Sequence, residues 1–238
     1  MKLEKRTILI TGGSSGIGRC LAEELVQAGN RIIIASRSAQ SNRPEMIALT
    51  CDLTEQTSVT ELVARLKKED LNPDILINNA AIQCTPKFIE GNFDFHSIEK
   101  EITVNFTAVA WLTSLLLPLL MRHKPSAIVN ISSGLALYPK SSSAIYCATK
   151  AALHSFSQSL RYQLEETVVS VHEVILPLVD TPMTEGRGSG KISAKAAAGA
   201  IIDGLKRDKE EIYVGKAKWL PLLSRISPAI AQNILKKH

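Results

Sequence analysis

The chain has 238 residues, 45% of them hydrophobic and 21% charged, with a formal net charge of +5. That profile suits one large soluble domain and excludes a disordered, fibrous or disulfide-built chain. The basic surplus lies in the last quarter without any nucleic-acid-binding pattern, so nucleic acid is not an expected partner.

The amino terminus, residues 1–6, is charged and runs into an apolar stretch too short for a signal peptide. Short runs rich in Ile and Val then alternate with helical patterns. Strands are predicted at residues 7–11, 31–35, 47–52, 75–78, 127–132, 169–176 and 211–214, and helices at 16–28, 56–68, 97–122, 143–166 and 194–207. Most strands lack polar alternation, as strands buried on both faces do. This order predicts a single α/β domain of the Rossmann type: a doubly wound parallel seven-stranded sheet with helices on both faces. The most apolar segment, residues 108–121, holds Thr113, Ser114 and Pro118 and is short for a membrane span, so it reads as a buried or interface helix. Cys20, Cys51, Cys84 and Cys147 form no CxxC pair, which predicts reduced thiols, a cytoplasmic location and no metal site.

Ligands of such a sheet sit beyond the carboxyl ends of its strands. After the first strand comes a glycine-rich turn, Gly12, Ser14, Ser15, Gly16, Ile17 and Gly18, where the backbone can approach a pyrophosphate drawn to the helix terminus. The second strand ends in Ser36 and Arg37, with no carboxylate for a ribose hydroxyl. A guanidinium there pairs with a 2′-phosphate, which predicts NADP over NAD. Asp52, followed by Leu53, suits either an adenine contact or a capping role before the next helix. Asn78, Asn79 and Ala80 end the fourth strand, where the side-chain amides are placed to fix the loop beside a cofactor.

Tyr146 and Lys150 lie one turn apart on a helix. Bringing a phenol from ~10 to ~7 takes about 4 kcal/mol, which an ammonium ~4 Å away supplies at an effective dielectric of ~20. Ser133 ends the fifth strand, facing the Tyr146 helix, and its hydroxyl suits a substrate oxygen. Asn105, a polar amide in an apolar helical stretch, either holds a proton-relaying water or satisfies a backbone group.

In this order the motifs resemble those of the short-chain dehydrogenase/reductase family, single-domain form. Residues 11–18 match its T-G-x-x-x-G-x-G turn, residues 78–81 its N-N-A-G segment and residues 146–150 its Y-x-x-x-K, with Ser133 thirteen residues before Tyr146. The resemblance implies hydride transfer between NADP(H) and a carbonyl or alcohol, on a homodimer or homotetramer packed through helices 97–122 and 143–166. It implies Tyr146 as general acid/base, Ser133 as orienter, Lys150 as the group that lowers the tyrosine pKa and Asn105 as support for the relay. Val179 and Thr181 fit contacts to the nicotinamide carboxamide. Ala81 and Pro177 replace family glycines, and the proline form is similar to the DltE-like subgroup. A non-catalytic cofactor-sensing protein on the same fold is the alternative. Residues 182–192, glycine-rich and basic, are expected to be a mobile substrate loop. The tail, residues 216–238, is expected to pack on the domain or on a partner subunit, with a wall of the substrate site as its second possible use.

Overall fold

Strand β1 (Thr7–Thr11) opens the domain in the computed structural model, which describes residues 1–38, 40, 43–84, 88–90, 94–122 and 125–236. It is followed by α1 (Gly16–Gln27), β2 (Arg31–Ser36), β3 (Met46–Thr50), α2 (Gln56–Lys68) and β4 (Ile75–Asn78). Then come α3 (Phe95–Ile102), a π turn (Thr103–Thr107), α4 (Ala108–Leu120), β5 (Ser126–Ser133), α5 (Ala144–Gln163) and β6 (Val169–Leu176). A two-residue pair, β7 (Val179–Asp180) with β8 (Ile192–Ser193), precedes α6 (Ala194–Lys206) and β9 (Glu211–Tyr213). The tail folds into α7 (Leu220–Ile226) and α8 (Pro228–Lys236); residues 237–238 lie outside the described part.

The main sheet has seven strands in the order β3-β2-β1-β4-β5-β6-β9, each pair parallel. Successive side chains of a strand point to opposite faces, and both faces are buried. Ile8, Ile10, Ile32, Ile34, Ile75 and Ile77 pack under α1 and α6. Leu9, Ile33, Leu76 and Ile128 pack under α2, α4 and α5. Each fully buried Ile or Leu contributes about 2 kcal/mol of burial energy, which is why these strands tolerate no polar alternation. The strand order reverses between β1 and β4, and the crevice beyond their carboxyl ends is where a ligand fits.

The expected elements are all present, with local shifts. The third strand stops at Thr50 because Asp52 Oδ1 accepts from both Thr54 N (2.9 Å) and Thr54 Oγ1 (2.8 Å), closing a turn. The helix expected over 97–122 starts earlier and is interrupted by the π turn. By length and composition the run Phe95–Leu120 is long and apolar enough to cross a membrane. Leu112, Leu116, Leu119 and Leu120, however, are buried against the sheet, as a core helix requires.

Candidate active site

The glycine-rich turn is held from β4. Asn79 Nδ2 donates to the carbonyls of Thr11 (2.9 Å) and Gly12 (3.2 Å), and Thr11 Oγ1 accepts from the amides of Asn79 and Ala80, both at 3.0 Å. Of the two amides at the end of the fourth strand, Asn79 therefore fixes this loop, whereas Asn78 Nδ2 donates to Asn130 Oδ1 on β5 at 2.9 Å. Gly12 and Gly16 have φ of +66° and +53°, a region costly for residues with a side chain. A Cβ on Gly18 would lie 2.4 Å from both Asn79 Nδ2 and the Gly12 carbonyl oxygen. Ser15 caps α1 without using its side chain, and no acidic residue stands in the first turn. The first amides of α1 are thus left for an anion.

Beyond these ends lies a cavity of about 1430 Å³, more than the ~300–1,000 Å³ of a pocket for one small ligand. Gly12, Ser14, Ser15, Gly16 and Ile17 line it at one end, and Arg37, Asp52 and Leu53 at the ends of β2 and β3. Ser36 Oγ, on the same wall, is buried without a hydrogen-bond partner among the described residues. The hydrogen bonds from Thr54 hold the Asp52 carboxyl below its usual range, with Arg37 adding to the effect. Asn79, Ala80, Ser133, Tyr146, Lys150, Val179 and Thr181 complete the expected set on the wall. Gly18 and Asn105 do not line the cavity; Gly18 leaves room for the Asn79 bonds to the turn, and Asn105 holds Ile82, which lines the cavity.

Beside Tyr146, Lys150 is buried and its Nζ donates to the Ile131 carbonyl at 2.8 Å, 5.6 Å from the centre of the Tyr146 ring. Burial lowers its pKa to about 8, opposed by Glu173. Burial pushes the Tyr146 phenol up, as do Cys147 and the buried Glu101, while Ser133, a hydrogen-bond partner of the phenol, and Arg187 oppose this. The Lys150 ammonium faces the Tyr146 ring while it is bonded to the Ile131 carbonyl. Ser133 Oγ also accepts from Leu135 N at 3.1 Å, starting the short helical turn Gly134–Ala136. Ser132 Oγ is buried with no partner.

Asn105 sits in the π turn, 1% exposed. Its Oδ1 accepts from Ile82 N, and its Nδ2 donates to the Ile82 carbonyl and to Thr149 Oγ1. One of the two uses open to this amide is seen, that of satisfying the backbone, at Ile82; its Oδ1 keeps a second acceptor site. Residues 182–192 are tied at several points. Arg187 Nη1 donates to Gln83 Oε1 (2.8 Å) and Lys191 Nζ to the Thr184 carbonyl (2.6 Å), and Thr181 and Thr184 cap each other.

Sequence reading undervalued the tail. Trp219, Leu220, Leu223 and Leu235 line the cavity, and Ser141 N donates to the Lys236 carbonyl at 3.0 Å. The tail is thus a cavity wall as well as a packing element. Lys140, half-buried on the same wall, also escaped notice; its distance of six residues from Tyr146 was the available signal.

The family model for short chain dehydrogenases matches residues 6–191, and the chain belongs to that family. It is 40% identical over 224 residues to the uncharacterized oxidoreductase DltE of Bacillus subtilis, covering 89% of each protein. Among solved structures it is similar to a short chain dehydrogenase from Burkholderia cenocepacia in complex with NADP, with a TM-score of 0.89, 25% identity and 99% of each chain covered. A short-chain dehydrogenase from Sphingobium yanoikuyae in complex with NADPH matches with a TM-score of 0.81 and 27% identity over 95% of each chain.

Proposed function

We propose that this oxidoreductase interconverts a carbonyl and an alcohol at the expense of NADP(H), with Tyr146 as general acid/base. The observation that carries the reading is the convergence of Tyr146, Ser133 and Lys150 on the wall of a cavity whose far end is an anion-ready helix terminus beside Arg37. The residues fit the dinucleotide. The free amides of α1 suit a pyrophosphate, and the orphaned Ser36 Oγ with Arg37 suits a 2′-phosphate. When bound, the nicotinamide supplies or accepts the hydride at the substrate carbon.

The chain's own residues handle the proton and the geometry. Ser133 Oγ donates to the substrate oxygen and holds it beside the Tyr146 phenol. In reduction the phenol gives its proton to that oxygen as negative charge develops there; in oxidation it takes the proton back. A phenol raised by burial is fully protonated at neutral pH, the form reduction requires. The Lys150 ammonium then stabilises the phenolate left behind and is placed to bond the nicotinamide ribose. In this reading Asp52 would meet the adenine amino group and Val179 and Thr181 the carboxamide, while Asn105 positions the loop at Ile82. Residues 182–192 close the substrate end.

The reading includes a cytoplasmic homodimer or homotetramer packed through residues 97–122, which span α3 and α4, and through 143–166, which hold α5; sedimentation of the purified chain tests it. The functional test is oxidation of NADPH and of NADH with a panel of aldehydes, ketones and diones. Turnover with a lower Michaelis constant for NADPH is the expected result. Tight NADPH binding without turnover across the panel indicates the cofactor-sensing alternative, and preference for NADH removes the role given to Arg37.

A further inference from the structure

One turn beyond Lys150 on α5, and outside the cavity lining, His154 meets two carboxylates from neighbouring strands. Glu173 of β6 and Glu211 of β9 are register partners in the parallel sheet, so their side chains leave the same face. His154 Nδ1 lies 2.6 Å from Glu173 Oε2. One donor atom from each of the three residues lies within 4.8 Å of the others.

A second observation is independent of that proximity. Glu173 is 1% exposed, and its other oxygen, Oε1, is buried with no hydrogen-bond partner among the described residues. A buried carboxylate oxygen left unpaired is costly, and a proton shared with His154 satisfies only Oε2. Glu211 is half-buried and the His154 side chain is 26% exposed, so the cluster has an open side through which a small cation and its waters can enter.

We propose that His154, Glu173 and Glu211 form a binding site for a divalent transition-metal cation of the Zn²⁺, Co²⁺ or Mn²⁺ kind. One imidazole nitrogen and two carboxylate oxygens, with no thiolate, suit these ions, and water fills the remaining positions. Bonds of ~2.1 Å put tetrahedral ligands about 3.4 Å apart, so on binding the His154–Glu173 pair opens from 2.6 Å by about an ångström, while Glu211 closes from within 4.8 Å. New metal–nitrogen and metal–oxygen bonds form, and the proton shared between His154 and Glu173 is released to solvent. No oxidation or reduction is involved. The cation joins α5 to β6 and β9, a tie between elements distant in sequence that raises stability by mass action. It touches neither substrate nor cofactor.

The test uses the full-length protein treated with EDTA and titrated by calorimetry with MnCl₂, CoCl₂ and ZnCl₂ separately. One saturable site per chain is expected, with a rise in Tm and a cobalt visible spectrum free of a thiolate charge-transfer band. Glu211→Gln and His154→Gln are each expected to weaken binding by about a hundredfold or more. Glu211→Gln, at a half-buried position, is expected to keep the metal-free NADPH oxidation rate and the near-ultraviolet circular dichroism of the wild type. Absence of saturable binding overturns the site and leaves His154 as the cluster's only cation. Unchanged affinity in both variants, or a thiolate band pointing to the cysteines, overturns it as well. A failure of turnover leaves this test untouched, because it reads binding alone.

Discussion

The Asn105 carboxamide clasps the main chain of Ile82 from both sides, accepting from its N–H at 2.8 Å and donating to its carbonyl at 2.9 Å. This clasp sets the course of the chain just after Asn79 and Ala80, which themselves hold the glycine turn through Thr11. The π turn is the local device that brings it about, since insertion of one residue into a helix re-aims the side chains around it.

Replacing Asn105 by Ala leaves Ile82 with an unsatisfied donor and acceptor. The expected cost is about 2–4 kcal/mol of stability, a fall in Tm of roughly 5–15 °C for a chain of this size. Scanning calorimetry checks the magnitude. A parallel NADPH titration is expected to show weaker binding, because the cofactor wall moves with Ile82.

Tyr146→Phe removes one hydroxyl and leaves the ring in place. Turnover is expected to fall by at least about 10³-fold while NADPH affinity stays within a few-fold of the wild type. Steady-state kinetics paired with fluorescence titration of NADPH check both halves, and a variant that turns over normally removes Tyr146 from the chemistry.

Arg37 is exposed on the cavity wall at the end of β2. Arg37→Glu exchanges a partner for a 2′-phosphate for one that suits a ribose hydroxyl. A charge-assisted contact is worth about 1.5–3 kcal/mol, so the Michaelis constant for NADPH is expected to rise about 10- to 100-fold, with that for NADH unchanged or lower. Initial rates with both cofactors decide it.

Lys150 makes stability depend on pH in a stated direction. Its folded-state pKa of about 8 lies below the 10.5 of a free lysine, because burial disfavours the charged form. Between those values the unfolded chain binds more protons, so stability rises with pH, and below pH 8 the full cost of burying the charge is present. The shift corresponds to about 3 kcal/mol across the whole window. Urea unfolding from pH 7.5 to 9.5 is expected to show this rise in the wild type and a flatter profile in Lys150→Met.

Much of the site was legible because its residues are bound to local structure. Gly12, Gly16 and Gly18 can be read from a strand-to-helix turn, and Tyr146 and Lys150 from the spacing of a single helix. The role of Asn105 was harder to read, since its partners Ile82 and Thr149 lie 23 and 44 residues away. The surroundings of Tyr146 and Lys150 were harder to read for a similar reason. Spacing alone supplies the distance to an ammonium, whereas burial of the phenol and the Ile131 carbonyl that engages Lys150 arise from packing.

The amino-acid sequence by itself determined the parallel sheet, its order of β and α elements and the motifs at the strand ends, because apolar periodicity and turn chemistry act over a few residues. Only the tertiary structure decided that the tail walls the cavity with Leu220, Leu223 and Leu235, and that His154, Glu173 and Glu211 meet. Those relationships depend on which elements the sheet brings side by side, and no local interaction specifies them.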